Sequence, residues 1–134
     1  MRPSGYLTRP DYRIDLVPLP VVVQARTPSR LIAATRHAVR LDEQNHEPVV
    51  YFPSASVDLT ALVPMPGRTT HCPYKGEARY WALPEAPDVP VAWSYPEVYP
   101  EVAGIAGMIA FYAERIEVSP VSYTHLTLPT ILLV

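Results

Sequence analysis

The chain is short of cysteine, glycine, excess basic charge and long apolar runs, and each shortage excludes something. A single cysteine, Cys72, among 134 residues cannot close an internal disulfide. Five glycines leave no phosphate-cradling loop: there is no Walker-type lysine motif, no Gly-x-Ser-x-Gly elbow, and the run from Gly104 to Gly107 lacks the third glycine of a dinucleotide fingerprint. Eleven Lys and Arg against thirteen Asp and Glu, a net charge of −2, provide no surplus to neutralise phosphates, so nucleic acid is not an expected partner. Gly, Pro or a polar group interrupts every apolar stretch well before the ~18 residues of a membrane span. The opening "MRPSGYLTRPDYRIDLVPLP" has no continuous apolar core of the secretory kind, and with the lone thiol this makes a cytoplasmic location the expectation.

What is present points to one small β-rich domain. The length falls within the ~100–150 residues at which single domains cluster. A hydrophobic share of 49% with 18% charged residues is globular in character. Seventeen prolines, spread along the chain, break it into short segments and oppose long helices. The expected fold is therefore mostly β, made of small antiparallel sheets with at most one short helix.

Residues 1–20, with prolines at 3, 10, 18 and 20, read as an extended N-terminal arm. "VVVQA", "RLIAAT" and "HAVRLD" read as three strands of a meander, with a helix over Ser29–Leu41 as the alternative. "QNHEP" is a turn before the strand "VVYF", and a short strand is expected near Asp58–Val63. In Cys72-Pro73-Tyr74-Lys75-Gly76 the proline suits the second position of a turn and the glycine a positive φ, which makes this segment a hairpin tip. The following "EARYWAL" alternates, with Ala78, Tyr80 and Ala82 on one face and Glu77, Arg79, Trp81 and Leu83 on the other. "VPVAWSY" places Val91, Trp93 and Tyr95 on one side. A helical turn is expected after Pro100, and "GMIAFY" with "RIEV" reads as a closing hairpin around Ala113-Glu114. From Val121 the chain loses every Asp, Glu, Lys and Arg. "VSYTHLTLPT" resembles a translated transposase sequencing adaptor, so residues 119–134 are set apart as a tail foreign to the domain, and His125 is excluded from any site.

The segments "YFP", "THCPYKGEARYW" and "AWSYPEVYPEVAGIAGMIAFYAERIEV", in this order and spacing, resemble the domain-of-unknown-function family numbered 427, over roughly residues 21–118. The resemblance implies a small, mostly antiparallel β domain similar to the β-tent group. Zinc-bearing members of that group use paired Cys-x-x-Cys knuckles, which this sequence lacks. The family name is tied to nucleotidyltransferases, but no Gly-Ser or paired-carboxylate metal motif is present, and that activity is not carried over.

Two site hypotheses follow. Cys72 is a candidate nucleophile, with Lys75 three residues on as its activator. Neighbouring strand residues point to opposite faces, so His71 is poorly placed as its base, and His37 or His46 would have to serve. The plain alternative is a small buried residue. No metal site is expected, because Cys72, His37, His46 and His71 have no ligand spacing. The aromatics give the stronger hypothesis: Tyr74, Tyr80, Trp81, Trp93, Tyr95, Phe111 and Tyr112 fall on neighbouring strands and loops, where they form either a plain core or a pocket. The expected site is a pocket for an unknown small molecule lined by Tyr74, Lys75, Tyr80, Trp81, Trp93, Tyr95 and Tyr112, with Lys75 at the rim for a carboxylate or phosphate and no cofactor. A thiol-dependent enzyme using Cys72 is the alternative, and the oligomeric state is left open.

Overall fold

The structure, a computed structural model, describes residues 1–121. Ten strands form two antiparallel sheets: β1 (Ile14–Pro18), β2 (Val23–Thr27), β3 (Arg30–Thr35), β4 (Val39–Glu43), β5 (Val49–Phe52), β6 (Val63–Cys72), β7 (Gly76–Leu83), β8 (Ala86–Ser94), β9 (Ile109–Phe111) and β10 (Glu117–Pro120). Seven make a sheet in the order β1-β4-β5-β9-β8-β7-β6, and β10-β2-β3 make the second. The only helical pieces among the described residues are short 3₁₀ turns at Gly5–Leu7, Ser54–Ser56, Leu59–Ala61 and Pro100–Ile105. The mostly β, antiparallel architecture is as expected. Its short elements follow from the prolines, which sit where a strand tolerates a missing N–H: Pro64 on the edge strand β6, Pro18 and Pro120 at strand ends, and Pro90 at an irregularity in β8.

The small sheet covers one face of the large one. Between them lies a core of Val23, Ala25, Ile32 and Ala33 from β2 and β3, meeting Phe52, Val91, Ala92, Ile109 and Phe111 from the large sheet. Phe52 and Phe111 meet edge to face, with centroids 5.4 Å apart. Each fully buried Val, Ile or Phe side chain here contributes about 1.5–3 kcal/mol. The opposite face carries a second cluster, Leu41, Tyr51, Ala78, Tyr95, Val102, Ile105, Met108 and Ala110, to which the 3₁₀ turn at Pro100–Ile105 contributes Val102 and Ile105.

Several local expectations are revised. The first twenty residues are not simply an arm, since Ile14–Pro18 pair with β4 along the sheet edge. "VVVQA", "RLIAAT" and "HAVRLD" are strands, not a helix, but only the first two form a hairpin. The Thr35 hydroxyl accepts from the His37 N–H at 2.9 Å, which bends the chain out of β3 and delivers β4 to the large sheet. The strand expected near Asp58–Val63 is instead a 3₁₀ turn capped by the Asp58 carboxylate, which accepts from the Thr60 N–H; short polar side chains compete in this way with a strand's ladder. Val91 does not share a face with Trp93. Trp81 pairs with Ala92 and Ala82 with Pro90, leaving Val91 as the extra residue of a bulge, so that Val91 and Ala92 both enter the core between the sheets. "GMIAFY" and "RIEV" do not form a hairpin: the Tyr112 carbonyl accepts from the N–H groups of Arg115 and Ile116, Ile116 drops into the intersheet core, and β10 pairs with β2. Ser119 and Pro120 are part of β10, and the Val121 N–H reaches the Val22 carbonyl at 2.8 Å. The adaptor-like tail beyond them lies outside the described residues.

Candidate functional site

On the face away from the small sheet, period-two alternation builds one row across four strands. Tyr80 of β7 stands opposite Trp93 of β8, Trp93 opposite Ala110 of β9, and Ala110 opposite Tyr51 of β5. Ala110 is the small member, and the space above its methyl lets the two large rings meet across it: Trp93 and Tyr51 lie edge to face at 6.3 Å, and the indole N–H donates to the Tyr51 hydroxyl at 3.2 Å. Tyr112, just past β9, lies against Trp93 with centroids 4.7 Å apart.

The hairpin tip closes one end of this row. Cys72 pairs with Gly76, and Gly76 has φ +137°, while a Cβ there would stand 2.5 Å from the Glu97 carbonyl oxygen. Both the left-handed backbone and the close approach require glycine. The tip is therefore pinned to the loop after β8, where the Tyr99 N–H also reaches the Lys75 carbonyl. That pinning turns Lys75 inward. Its Nζ donates to Glu43 Oε1 at 2.5 Å, with the two side chains only 11% and 9% exposed. The other oxygen of Glu43 accepts from the Tyr12 hydroxyl, and His46 Nε2 stands 3.8 Å from it. Burial pushes the Glu43 carboxyl upward, but the hydrogen bonds from Lys75 and Tyr12, with the ammonium charge, outweigh it and hold the group below its ordinary range. Burial, followed by the bond to Glu43, raises the Tyr12 phenol. Burial also raises Tyr51, Tyr95 and Tyr112, so all these hydroxyls keep their protons at neutral pH.

The N-terminal segment straps onto the tip. The Gly5 N–H donates to the Pro73 carbonyl at 2.8 Å, the Tyr12 ring stacks on Tyr74 at 3.7 Å and 8°, and Tyr6 meets Tyr74 edge-on at 5.2 Å.

These elements enclose an open cavity of about 620 Å³. β4, β5 and the turn between them provide Leu41, Glu43, His46, Glu47, Val49 and Tyr51 to its wall. The tip provides Cys72, Pro73, Tyr74 and Lys75, β7 and β8 provide Tyr80 and Trp93, and Tyr95 and Tyr112 follow the ends of β8 and β9, with Tyr12 from the strap. Of the residues singled out from sequence, Cys72, Tyr74, Lys75, Tyr80, Trp93, Tyr95 and Tyr112 come together here. Trp81 does not: it packs against the core between the sheets, because it alternates with Tyr80. Phe111 is buried in that same core. Lys75 is not a free rim cation, because Glu43 holds it.

His71 lines a different depression, with Arg2, Glu77 and Arg79, and its Nε2 lies 3.5 Å from the Tyr99 hydroxyl; alternation puts it across the strand from Cys72. Tyr12, Glu43, His46, Glu47 and Tyr51 were not singled out from sequence as pocket residues. No local signal pointed to Glu43, which meets Lys75 across 32 residues of sequence only once the pinned tip turns the lysine inward. Among the described residues, no group of three His, Cys, Asp or Glu side chains is placed to hold a metal ion, and no helix is long and apolar enough to cross a membrane.

The profile of the family described as "Domain of unknown function (DUF427)" matches residues 15–122. The match spans most of the chain, and the chain belongs to this family. No curated protein matches it.

Proposed function

We propose that this family member binds a small polar or aromatic ligand in the cavity between the hairpin tip and the Tyr80–Trp93–Tyr51 row. The observation that carries this reading is the sorting of side chains between the two faces of one sheet. Under the small sheet aliphatic side chains and Phe predominate, with Trp81 beside them, while on the other face Tyr rings and Trp93, with an ion pair at one end, wall an open cavity over a smaller aliphatic cluster. Rings with polar tips are more than packing needs, and they suit a surface that is apolar in body and wet at its edge.

The two tryptophans supply a built-in comparison, since Trp93 lines the cavity and Trp81 packs on the opposite face. In an NMR titration with indole and benzamide, the Trp93 indole N–H is expected to shift saturably while that of Trp81 stays still. Trp93→Ala should abolish the saturable shifts at the Tyr74 and Lys75 amides and leave the Trp81 signal at its folded position. If every such variant unfolds, or the shifts centre on Trp81, the rings are core and the reading fails.

The thiol-dependent alternative draws on one observation, that Cys72 is half-buried in the same wall. Neither His37 nor His71 joins it there, and His46 is engaged with Glu43. Iodoacetamide labelling of Cys72 no faster than that of an unstructured thiol would remove this alternative.

A further inference from the structure

The donors and acceptors around the cavity are unequally spent. The ammonium of Lys75 is committed to Glu43, the Tyr12 hydroxyl to the same carboxylate, and the Trp93 N–H to Tyr51. The Tyr80 hydroxyl is shared with Thr70 at 2.7 Å. What the wall still offers is the Glu47 carboxylate, the faces of its rings, the His46 ring and the hydroxyls of Tyr74 and Tyr95, with no uncommitted cationic donor of the Lys75 kind among them. The acidic and basic side chains of the lining are two carboxylates, Glu43 and Glu47, against one ammonium, Lys75, with the imidazole of His46 beside them. The chain itself already uses the electron-rich faces of two lining rings to hold cations, with the Arg9 guanidinium 5.4 Å from the Tyr12 centroid and that of Arg68 5.3 Å from Tyr80.

We propose that the ligand of this cavity is an organic cation, an alkylated or primary ammonium group that lies against Trp93, Tyr95 and Tyr112 with Glu47 as its counter-charge. This inference rests on the cavity being a ligand site, and it narrows the ligand's class. An anion meets the opposite conditions: its natural partner, Lys75, is bound at 2.5 Å by Glu43, and taking it would strand a buried carboxylate. A neutral ligand of the same shape gains the apolar contact but not the attraction of the ring faces.

Choline, 3,3-dimethylbutan-1-ol and 3,3-dimethylbutanoate test this directly, because the first two have nearly the same shape and differ in charge, and the third reverses the charge. Each is titrated into the whole chain and followed at the Trp93 indole N–H. Choline is expected to bind roughly tenfold more tightly than the alcohol, and the carboxylate more weakly than both. Glu47→Gln, an exposed change, should weaken choline and leave the alcohol unchanged, while Trp93→Leu, followed at the Tyr74 and Lys75 amides, should erase the preference for choline. Equal binding of choline and the alcohol overturns the cation and leaves the cavity reading intact. Tighter binding of the carboxylate also overturns it. No response to any of the three likewise overturns it, and the indole and benzamide titration then decides separately whether the cavity binds anything.

Discussion

The two faces of the seven-stranded sheet are made from the same short strands and do opposite things. Three adjacent aromatic pairs, one on or beside each of β5, β7 and β9, are split between them: Phe52, Trp81 and Phe111 go to the core under the small sheet, while Tyr51, Tyr80 and Tyr112 go to the cavity. In each pair the ring with a hydroxyl takes the open side. Alternation alone would put one ring of every pair on each face; on the cavity side the hydroxyls reach polar partners, and even Tyr51, which is fully buried, has its hydroxyl met by the Trp93 N–H. The covered face gains stability from volume filled and area removed from water. The open face keeps its rings in place through directed contacts, such as the Trp93 to Tyr51 hydrogen bond and the Lys75–Glu43 pair.

The largest expected effect breaks the covered face. Phe52 is fully buried against Phe111, and Phe52→Ala removes a ring from a closed core, at a cost of about 4 kcal/mol in urea unfolding. Tyr112→Phe, on the other face, removes a hydroxyl that hydrogen-bonds Tyr80 from a half-buried ring and should change stability by about 1 kcal/mol or less. Comparable losses in both would show the open face to be as much core as the covered one.

A somewhat smaller effect tests how the open face is held. Glu43→Ala leaves the Lys75 ammonium buried without a counter-charge and is expected to destabilise by about 3 kcal/mol, whereas Glu43→Leu with Lys75→Met, which removes both charges, should recover most of that. A double variant as unstable as the single one would mean that the pair acts through shape and not charge. The same pair sets an acid response. Its carboxyl is held below the ordinary value of 4.5, so the unfolded chain takes up the proton first. The contribution is complete above that value and is lost as pH falls from it through the folded-state value. Acid unfolding of the wild type should therefore be steeper below pH 4.5 than that of the double variant.

How much of this was legible in sequence depends on how far each partner lies along the chain. The hairpin tip could be read from Pro73 and Gly76, because turn chemistry is local, and the rings within Tyr74–Tyr112 could be gathered because they lie on strands next to one another. Trp81 was misplaced only by grouping both faces of "EARYWAL" into one pocket, although the alternation itself was visible. Glu43 is 32 residues from Lys75 and ends a strand whose sheet the sequence did not reveal, since a two-residue period gives a strand's faces and not its neighbours. Tyr12 was hidden for a related reason. The prolines around it describe an irregular chain, and nothing local says that such a chain stacks on the hairpin tip. The Val91 bulge, the strand change after Tyr112 and the Asp58 turn were missed because each is decided by backbone hydrogen bonds that only the assembled sheets define.

The smallest expected effect concerns where the domain stops on the side of β10. The covered face needs that strand, because β10 completes the small sheet through Val118, which packs against the intersheet core, and through pairing of Glu117–Pro120 with β2. The last described contact of this kind is the Val121 N–H to the Val22 carbonyl, and the family match ends at residue 122. A chain ending at Val121 is accordingly expected to unfold within about 0.5 kcal/mol of the full chain and to give the same Trp93 and Trp81 indole signals. A cut after Ile116 would instead take β10 away and should open the covered face, exposing Val23 and Ala25 along β2. Loss of stability on removing residues 122–134 would place part of that segment in the core of the domain, and would move its boundary beyond the point at which the charged residues end.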